Sequence, residues 1–147
     1  MIKHVIKASA FFAVVAVLGA TVAISAEKAP TAQIVPADQI ADAKKAKSPV
    51  PANPATIAEG KAIFEGKGTC FTCHGMEGKG DGPAATGLDP SPRNFTNKAF
   101  TTAKTEGEMM WVLRNGSAGT AMIPMVGSVL TEDEGWKAIL YERSLAK

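Results

Sequence analysis

The chain has 147 residues, of which 16 are basic and 14 acidic, and this length suits one domain with additional segments. Two of the basic residues, Lys3 and Lys7, lie in an N-terminal stretch without acidic residues, so the rest of the chain carries 14 charges of each sign. A chain that is neutral outside its N-terminus has no basic field for nucleic acid, and composition excludes that class of protein.

Residues 1–26 have the layout of a secretory signal peptide. A basic stretch, MIKHVIK, precedes the apolar run ASAFFAVVAVLGATVAI, and the small residues Ser25 and Ala26 follow. An uncleaved N-terminal membrane anchor is the alternative, since a bilayer is spanned by about 17–25 apolar residues. We therefore expect a periplasmic or otherwise exported protein, or one anchored in the membrane and facing the periplasm.

Residues 27–55 are rich in Ala, Pro and Lys and have few large apolar side chains. Such a segment buries little surface, and its prolines favour extended, semi-rigid spacing. We interpret it as a linker or tether, with a possible short helix between residues 34 and 47. The folded domain is then expected at residues 56–147.

Three helices are predicted in that domain, within residues 56–68, 105–116 and 131–147. Each begins with a Thr followed three residues later by a Glu, the pattern of a capping box. These pairs are Thr56 with Glu59, Thr105 with Glu108, and Thr131 with Glu134. No alternation typical of a strand is found, so the predicted fold class is all-α.

A long segment rich in Gly, Pro and Asn, from residue 75 to about residue 103, separates the first two predicted helices. Loops of this length are uncommon inside a small domain. The segment is reasonable if it wraps around a large rigid ligand, which would also supplement the small core of such a domain.

The stretch TCFTCHG contains Cys70 and Cys73, which are the two cysteines of the chain, followed directly by His74. A structural zinc site needs four ligands, and the chain outside the signal peptide has no second ligand pair. A redox-active thiol pair is usually found in a βαβ context, which is absent here.

Covalent haem attachment uses all three residues of this motif. In Cys-x-x-Cys-His, the two sulfurs form thioethers with the haem, and the histidine is the proximal iron ligand. We therefore predict one covalent haem c, bound through Cys70 and Cys73, with His74 on the iron.

The second axial ligand is expected to be a methionine, since His4 lies in the predicted signal peptide. Met76 is too close to His74 to reach the other haem face, and Met109 and Met110 lie within a predicted helix. Met122 and Met125 lie in the irregular segment GTAMIPM, which could present a thioether. Met122 is the preferred candidate and Met125 the alternative.

The segments CFTCHG, GKGDGPAA, PSPRNF, GTAM and WKAILYERSL together resemble a class I c-type cytochrome over residues 56–147. The resemblance implies three to five helices around one covalent haem. It also implies that the first and last helices cross, with Gly60 and Phe64 against Ala138 and Tyr141. Many relatives have proline directly after the ligand methionine, whereas here Ile123 intervenes before Pro124.

The resemblance assigns further roles near the haem. Pro83 matches the residue whose carbonyl accepts the Nδ1 hydrogen of the proximal histidine, a bond that fixes the ring. Arg93 is similar to the arginine that pairs with a haem propionate, with an ordinary surface cation as the alternative. Trp111 is expected either to line the haem pocket or to be a core residue.

The expected function is that of an electron-transfer protein and not an enzyme. It would carry one electron between redox partner proteins, a donor and an acceptor, through a His/Met-ligated haem. Two alternatives remain open: a haem enzyme or sensor with a labile methionine ligand, and a cytochrome subunit of a larger oxidoreductase complex.

Overall fold

The structure is a computed structural model that describes residues 32–146, so the predicted signal peptide lies outside the described residues. Within residues 32–146 the chain forms six helices and no strand, which confirms the all-α fold class. The helices are α1 (Ile40–Lys45), α2 (Pro54–Glu65), α3 (Phe71–His74), α4 (Lys98–Ala103), α5 (Glu106–Asn115) and α6 (Glu132–Ser144). None of the helices in this part of the chain is long and apolar enough to cross a membrane.

Helices α5 and α6 begin at the predicted capping boxes. The Thr105 hydroxyl accepts from the Glu108 amide at 3.2 Å, and the Glu108 carboxylate accepts from the Thr105 amide at 2.9 Å. Thr131 and Glu134 repeat this pair of bonds at 3.3 and 2.8 Å. Two reciprocal bonds satisfy amides that a helix start would otherwise leave unpaired, so both starts are well defined.

Helix α2 begins earlier than predicted, and the box expected between Thr56 and Glu59 is wrong. The N-cap is Asn53, whose side chain accepts from the Thr56 amide at 3.0 Å, while the Thr56 hydroxyl accepts from the Asn53 amide at 3.1 Å. Pro54 occupies the first helical position, where its fixed φ suits a helix and its missing N–H costs nothing. Glu59 instead pairs with Lys137 of α6 at 2.8 Å.

The first and last long helices, α2 and α6, cross at the expected residues. A Cβ at Gly60 would overlap the carbonyl oxygen of Lys137 and lie 3.0 Å from Cβ of Tyr141, so only glycine permits this approach. The rings of Phe64 and Tyr141 meet edge to face, with centroids 5.3 Å apart. Ala138 is also buried, and these residues hold the two ends of the domain together.

Part of the segment predicted as a linker is packed onto the domain. We name residues 34–46, which include α1, the N-terminal strap. Val35 is only 2% exposed, and Ala43 is buried where its backbone approaches Gly107 of α5. The indole Nε1 of Trp111 donates to the Gln39 side chain at 2.7 Å. The strap docks with few large apolar residues because Gly107 lets the α1 backbone come close.

Candidate functional site

An apolar cavity of about 360 Å³ lies among α3, α5, α6, the loops that follow α3 and α5, and the start of the N-terminal strap. Its lining joins segments that are far apart in sequence, from Ile34 to Glu142. A cavity of this kind forms only when the whole domain folds. Its lining includes the cysteines, the histidine and the two methionines that the sequence predicts to bind a haem.

Cys70, Cys73 and His74, the three residues of the predicted attachment motif, all line this cavity. Thr69, with φ of 47°, turns the chain into α3, and the His74 amide donates to the Cys70 carbonyl at 2.9 Å. One helical turn therefore presents all three side chains to the same space. Cys70 and Cys73 form no disulfide; burial, and then the negative charge of Glu142, raise the pKa of the Cys70 thiol to about 12.

The His74 ring is held from two sides. Its Nδ1 lies 2.9 Å from the carbonyl oxygen of Arg93, and its ring stacks on Phe95 with centroids 4.6 Å apart. Since a carbonyl only accepts, Nδ1 carries the hydrogen and Nε2 keeps its lone pair. Burial lowers the pKa of His74, which favours the neutral imidazole that binds a metal ion.

The acceptor for His74 is therefore Arg93, and the assignment of this role to Pro83 is wrong. Pro83 is exposed, and the backbone on either side of it closes the end of α3: the Gly82 amide donates to the Cys73 carbonyl at 3.0 Å and the Ala84 amide to the Thr72 carbonyl at 2.8 Å. These bonds satisfy carbonyls that a helix end leaves unpaired. The segments GDGP and PSPR both contain proline and both follow His74. The sequence alone did not indicate which of them supplies the carbonyl that accepts the His74 Nδ1 hydrogen.

Met122 and Met125 are both partly buried, and both line the cavity. Their loop is fixed by backbone bonds, from the Ser117 amide to the Met122 carbonyl at 2.9 Å and from the Met125 amide to the Leu113 carbonyl at 2.7 Å. Both thioethers therefore remain candidates for an iron ligand. Met76, by contrast, is 54% exposed.

The two remaining predicted residues have different positions. Arg93 lines the cavity, and its guanidinium carbon lies 4.9 Å from the centre of the Phe100 ring. Trp111 lies on the other side of α5, where it contacts the N-terminal strap through Gln39, so its expected place in the pocket is wrong. On a helix with apolar residues on more than one side, composition did not indicate which side faces the cavity.

Three charged residues of the cavity wall were not predicted. Lys104 and Glu108 are buried together, with Nζ 3.4 Å from Oε1. Glu142 of α6 is also buried. Its spacing of three residues from the buried Ile139 was a signal for an inward position, because residues i and i+3 share a helix face.

The donor set fits a covalently bound haem. Two thiols and a neutral imidazole lie on one helical turn, methionine thioethers lie in a loop of the same cavity, and most of the wall is apolar. Cys70 and Cys73 would hold the macrocycle and His74 would bind its iron, which supplies the one-electron chemistry when bound.

Comparison with known proteins agrees with this fit. Residues 55–141 match the family model described as "Cytochrome C oxidase, cbb3-type, subunit III". A chain of the Kuenenia stuttgartiensis reducing HAO-like protein complex Kustc0457/Kustc0458 has a similar structure, with a TM-score of 0.60 and 33% identity over 67% of this chain. That match spans only 47% of the Kuenenia chain.

A second solved structure, titled "KustC0563 c-type cytochrome", matches with a TM-score of 0.49 and 20% identity, over 60% of this chain and 98% of its own length. No curated protein matches the chain. The family match covers more than half of the chain and includes the haem-attachment motif. The chain therefore belongs to this family and is a class I c-type cytochrome, whose domain implies covalently bound haem c.

Proposed function

We propose that the protein is a one-electron carrier with a single haem c, attached through Cys70 and Cys73 and ligated by His74 and Met122. The observation that carries the proposal is the placement of the cysteines, the histidine and two methionines on one apolar cavity. A chain that fills both axial positions of a haem leaves no open position for substrate, which suits electron transfer over activation chemistry.

The residues around His74 support this role. The Arg93 carbonyl and the stacked Phe95 ring fix the orientation of the imidazole, and the hydrogen bond at Nδ1 makes Nε2 more basic. A ligand held in one orientation changes little between the two oxidation states. The Arg93 side chain, on the cavity wall, is proposed to pair with a haem propionate.

The first experiment counts the haem. Protein purified from cells that attach haem c should give a mass larger than the polypeptide by one haem, and the haem should remain attached after denaturation. Loss of the haem on denaturation, or a second haem in the mass spectrum, would contradict a single covalent haem.

The methionine ligand is tested with two matched variants. The oxidised protein should have the near-infrared sulfur-to-iron charge-transfer band of methionine ligation, which should disappear in Met122→Ala and remain in Met125→Ala. The reverse pattern would assign Met125. Absence of the band from the wild-type protein would instead favour a haem with a labile ligand, and binding of small ligands to the iron should then be measured.

A subunit role is the second candidate. The similar Kuenenia chain is part of a protein complex and is more than twice as long as the matched region, so a cytochrome domain of this kind also occurs inside a larger assembly. In either role the partners are redox proteins, one donor and one acceptor. Native-mass measurement of the protein purified from its own cells distinguishes a free carrier from a bound subunit.

Export is proposed from the sequence of residues 1–26. A periplasmic carrier should have lost this stretch, whereas an anchored cytochrome should retain it and be found in the membrane fraction. N-terminal sequencing of the haem-loaded protein from each cell fraction distinguishes these outcomes.

A further inference from the structure

Glu142 is a buried carboxyl group of the cavity wall to which electron transfer by itself assigns no role. It is 5% exposed, lies in the last turns of α6 and lines the cavity. No ion pair or side-chain hydrogen bond found among residues 32–146 involves its carboxylate, and burial alone raises its pKa. Its charge influences the Cys70 thiol, so it lies near the predicted point of haem attachment. A buried charge without a partner is costly, and such groups are found where a charge changes during function.

We propose that Glu142 binds a proton when the protein accepts an electron and releases it when the electron leaves. This inference rests on the proposed function as an electron carrier. In the step, one electron arrives from the donor protein and one proton arrives from bulk water. The electron would go to the haem iron that His74 binds, reducing it from ferric to ferrous, and the proton would convert the Glu142 carboxylate to the neutral acid. Oxidation by the acceptor protein reverses both transfers.

The direction of the coupling follows from electrostatics. Reduction removes one positive charge from the cavity, and a carboxylate that loses nearby positive charge is protonated more easily. The effect is strong where water is excluded, because screening is weak in an apolar site. Burial also raises the pKa of Glu142 to about 8, so its titration is close to neutral pH, where a change of site charge alters proton occupancy.

The charged neighbours of Glu142 have other partners or belong to the haem site. On its own helix, Arg143 donates to the carbonyls of Lys104 and Thr101, at 2.8 and 3.2 Å. At α5, the Glu108 carboxylate is occupied by Lys104 and the Thr105 amide.

The other elements around the cavity and α6 contribute few charged groups that could pair with Glu142 or bind the proton in its place. On the cavity wall, the remaining titratable or charged side chains are Cys70, Cys73, His74 and Arg93. At the α2–α6 contact the charges form surface pairs beside the buried Tyr141: Lys137 with both Glu59 and Asp133, Lys67 with Glu134, and, within α2, Lys61 with Glu65. Glu142 is therefore the buried carboxyl group whose proton occupancy is free to follow the charge of the site.

The test is the midpoint potential of the haem-loaded protein as a function of pH, from about pH 5 to about pH 10. In the wild-type protein the potential should fall as pH rises, by up to about 59 mV per tenfold decrease in proton concentration for a one-electron couple. In Glu142→Gln the potential should remain near the acid limit of the wild-type protein at every pH. Glu132→Gln makes the same change of charge on the surface of α6 and should retain the wild-type slope.

A wild-type potential that does not depend on pH would overturn the proposal, and so would an unchanged slope in Glu142→Gln. The latter result would assign the proton to a haem propionate or another group. If Glu142→Gln does not fold, Glu142→Asp replaces it: this variant keeps a carboxyl group, and the pH window of the slope should move. An unmoved window would also reject the proposal.

The infrared difference between reduced and oxidised wild-type protein provides a readout that needs no variant. The carbonyl stretch of a protonated carboxylic acid should increase on reduction, and its absence contradicts the proposal. Failure of the electron-carrier function is recognised separately, because the protein would then lack a reversible one-electron couple at any pH.

Discussion

Gly60 determines how closely α2 and α6 approach each other. Its missing side chain leaves room for the Lys137 carbonyl, and any Cβ there would overlap a backbone atom that cannot rotate away. This contact could be expected from sequence because a glycine four residues before an aromatic residue lies on the same helix face. The resemblance supplied the other half of the contact, on α6.

Gly60→Ala should therefore destabilise the haem-loaded protein by about 1–3 kcal/mol, as overpacking does, although alanine is normally the better helix former. Chemical denaturation followed through helix circular dichroism measures the loss. Ala58→Val adds bulk at an exposed position of α2 and should cost well under 1 kcal/mol. Equal losses in the two variants would show that the close approach is not needed.

The raised pKa of Glu142 also determines how the stability of the folded protein should depend on pH. Because burial raises its pKa from 4.5 to about 8, the folded chain binds more protons than the unfolded chain between these values. The free energy of unfolding should then decrease as pH rises through this window, by a few kcal/mol. Glu142→Gln should lack this decrease and should be the more stable protein above about pH 8. Denaturation curves at several pH values test this, and parallel curves for both proteins would contradict it.

The N-terminal strap shows what sequence could not predict at the level of an element. Its short helix was expected between residues 34 and 47, and α1 spans Ile40–Lys45. Its docking was not expected, because a segment with so few large apolar residues is typical of a linker. The missing information was the partner surface: Gly107 of α5 admits the backbone of Ala43 and Ala46, a contact that depends on tertiary structure.

Gly107→Ala should undock the strap, since a Cβ at this position would overlap the Ala43 carbonyl and lie 2.6 Å from that of Ala46. Amide hydrogen exchange at residues 43 and 46, whose amides are bonded within α1, should become faster. The midpoint potential should also fall, because Val35 would no longer shield the cavity and water favours the more charged oxidised haem.

Trp111→Phe is a milder variant that tests the same docking of the N-terminal strap. It removes the bond to Gln39 but adds no bulk, so its effects should be smaller than those of Gly107→Ala. If both variants retain the exchange rates and potential of the wild-type protein, the strap does not close the cavity.

For the molecule as a whole, the cavity is a large apolar space that several elements of the fold line together. Apolar surface left in contact with water costs free energy in proportion to its area, so a bound haem would stabilise the domain by covering this lining. The long segment after α3, which is reasonable in sequence terms if it wraps around a large rigid ligand, contributes Leu88, Pro90 and Arg93 to the lining.

The double variant Cys70→Ser, Cys73→Ser should therefore lose most of its helix signal and its cooperative thermal transition. Each single variant keeps one thioether and should be intermediate, retaining haem with a lower midpoint temperature. A double variant that is free of haem and melts cooperatively, with wild-type helix content, would contradict the idea that the haem completes the core.

The side of the cavity that α6 forms has a consequence for when the haem can be attached during synthesis and folding. Synthesis proceeds from the N-terminus, so the attachment motif at residues 70–74 emerges well before residues 132–144, which carry Glu142 and the α6 surface that receives Gly60. Until α6 docks, the cavity lacks the side that Glu142 lines, so Cys70 and Cys73 should be more exposed than in the folded domain, where they are half-buried. The order of residues along the chain thus gives haem attachment its widest access to the cysteines before α6 packs.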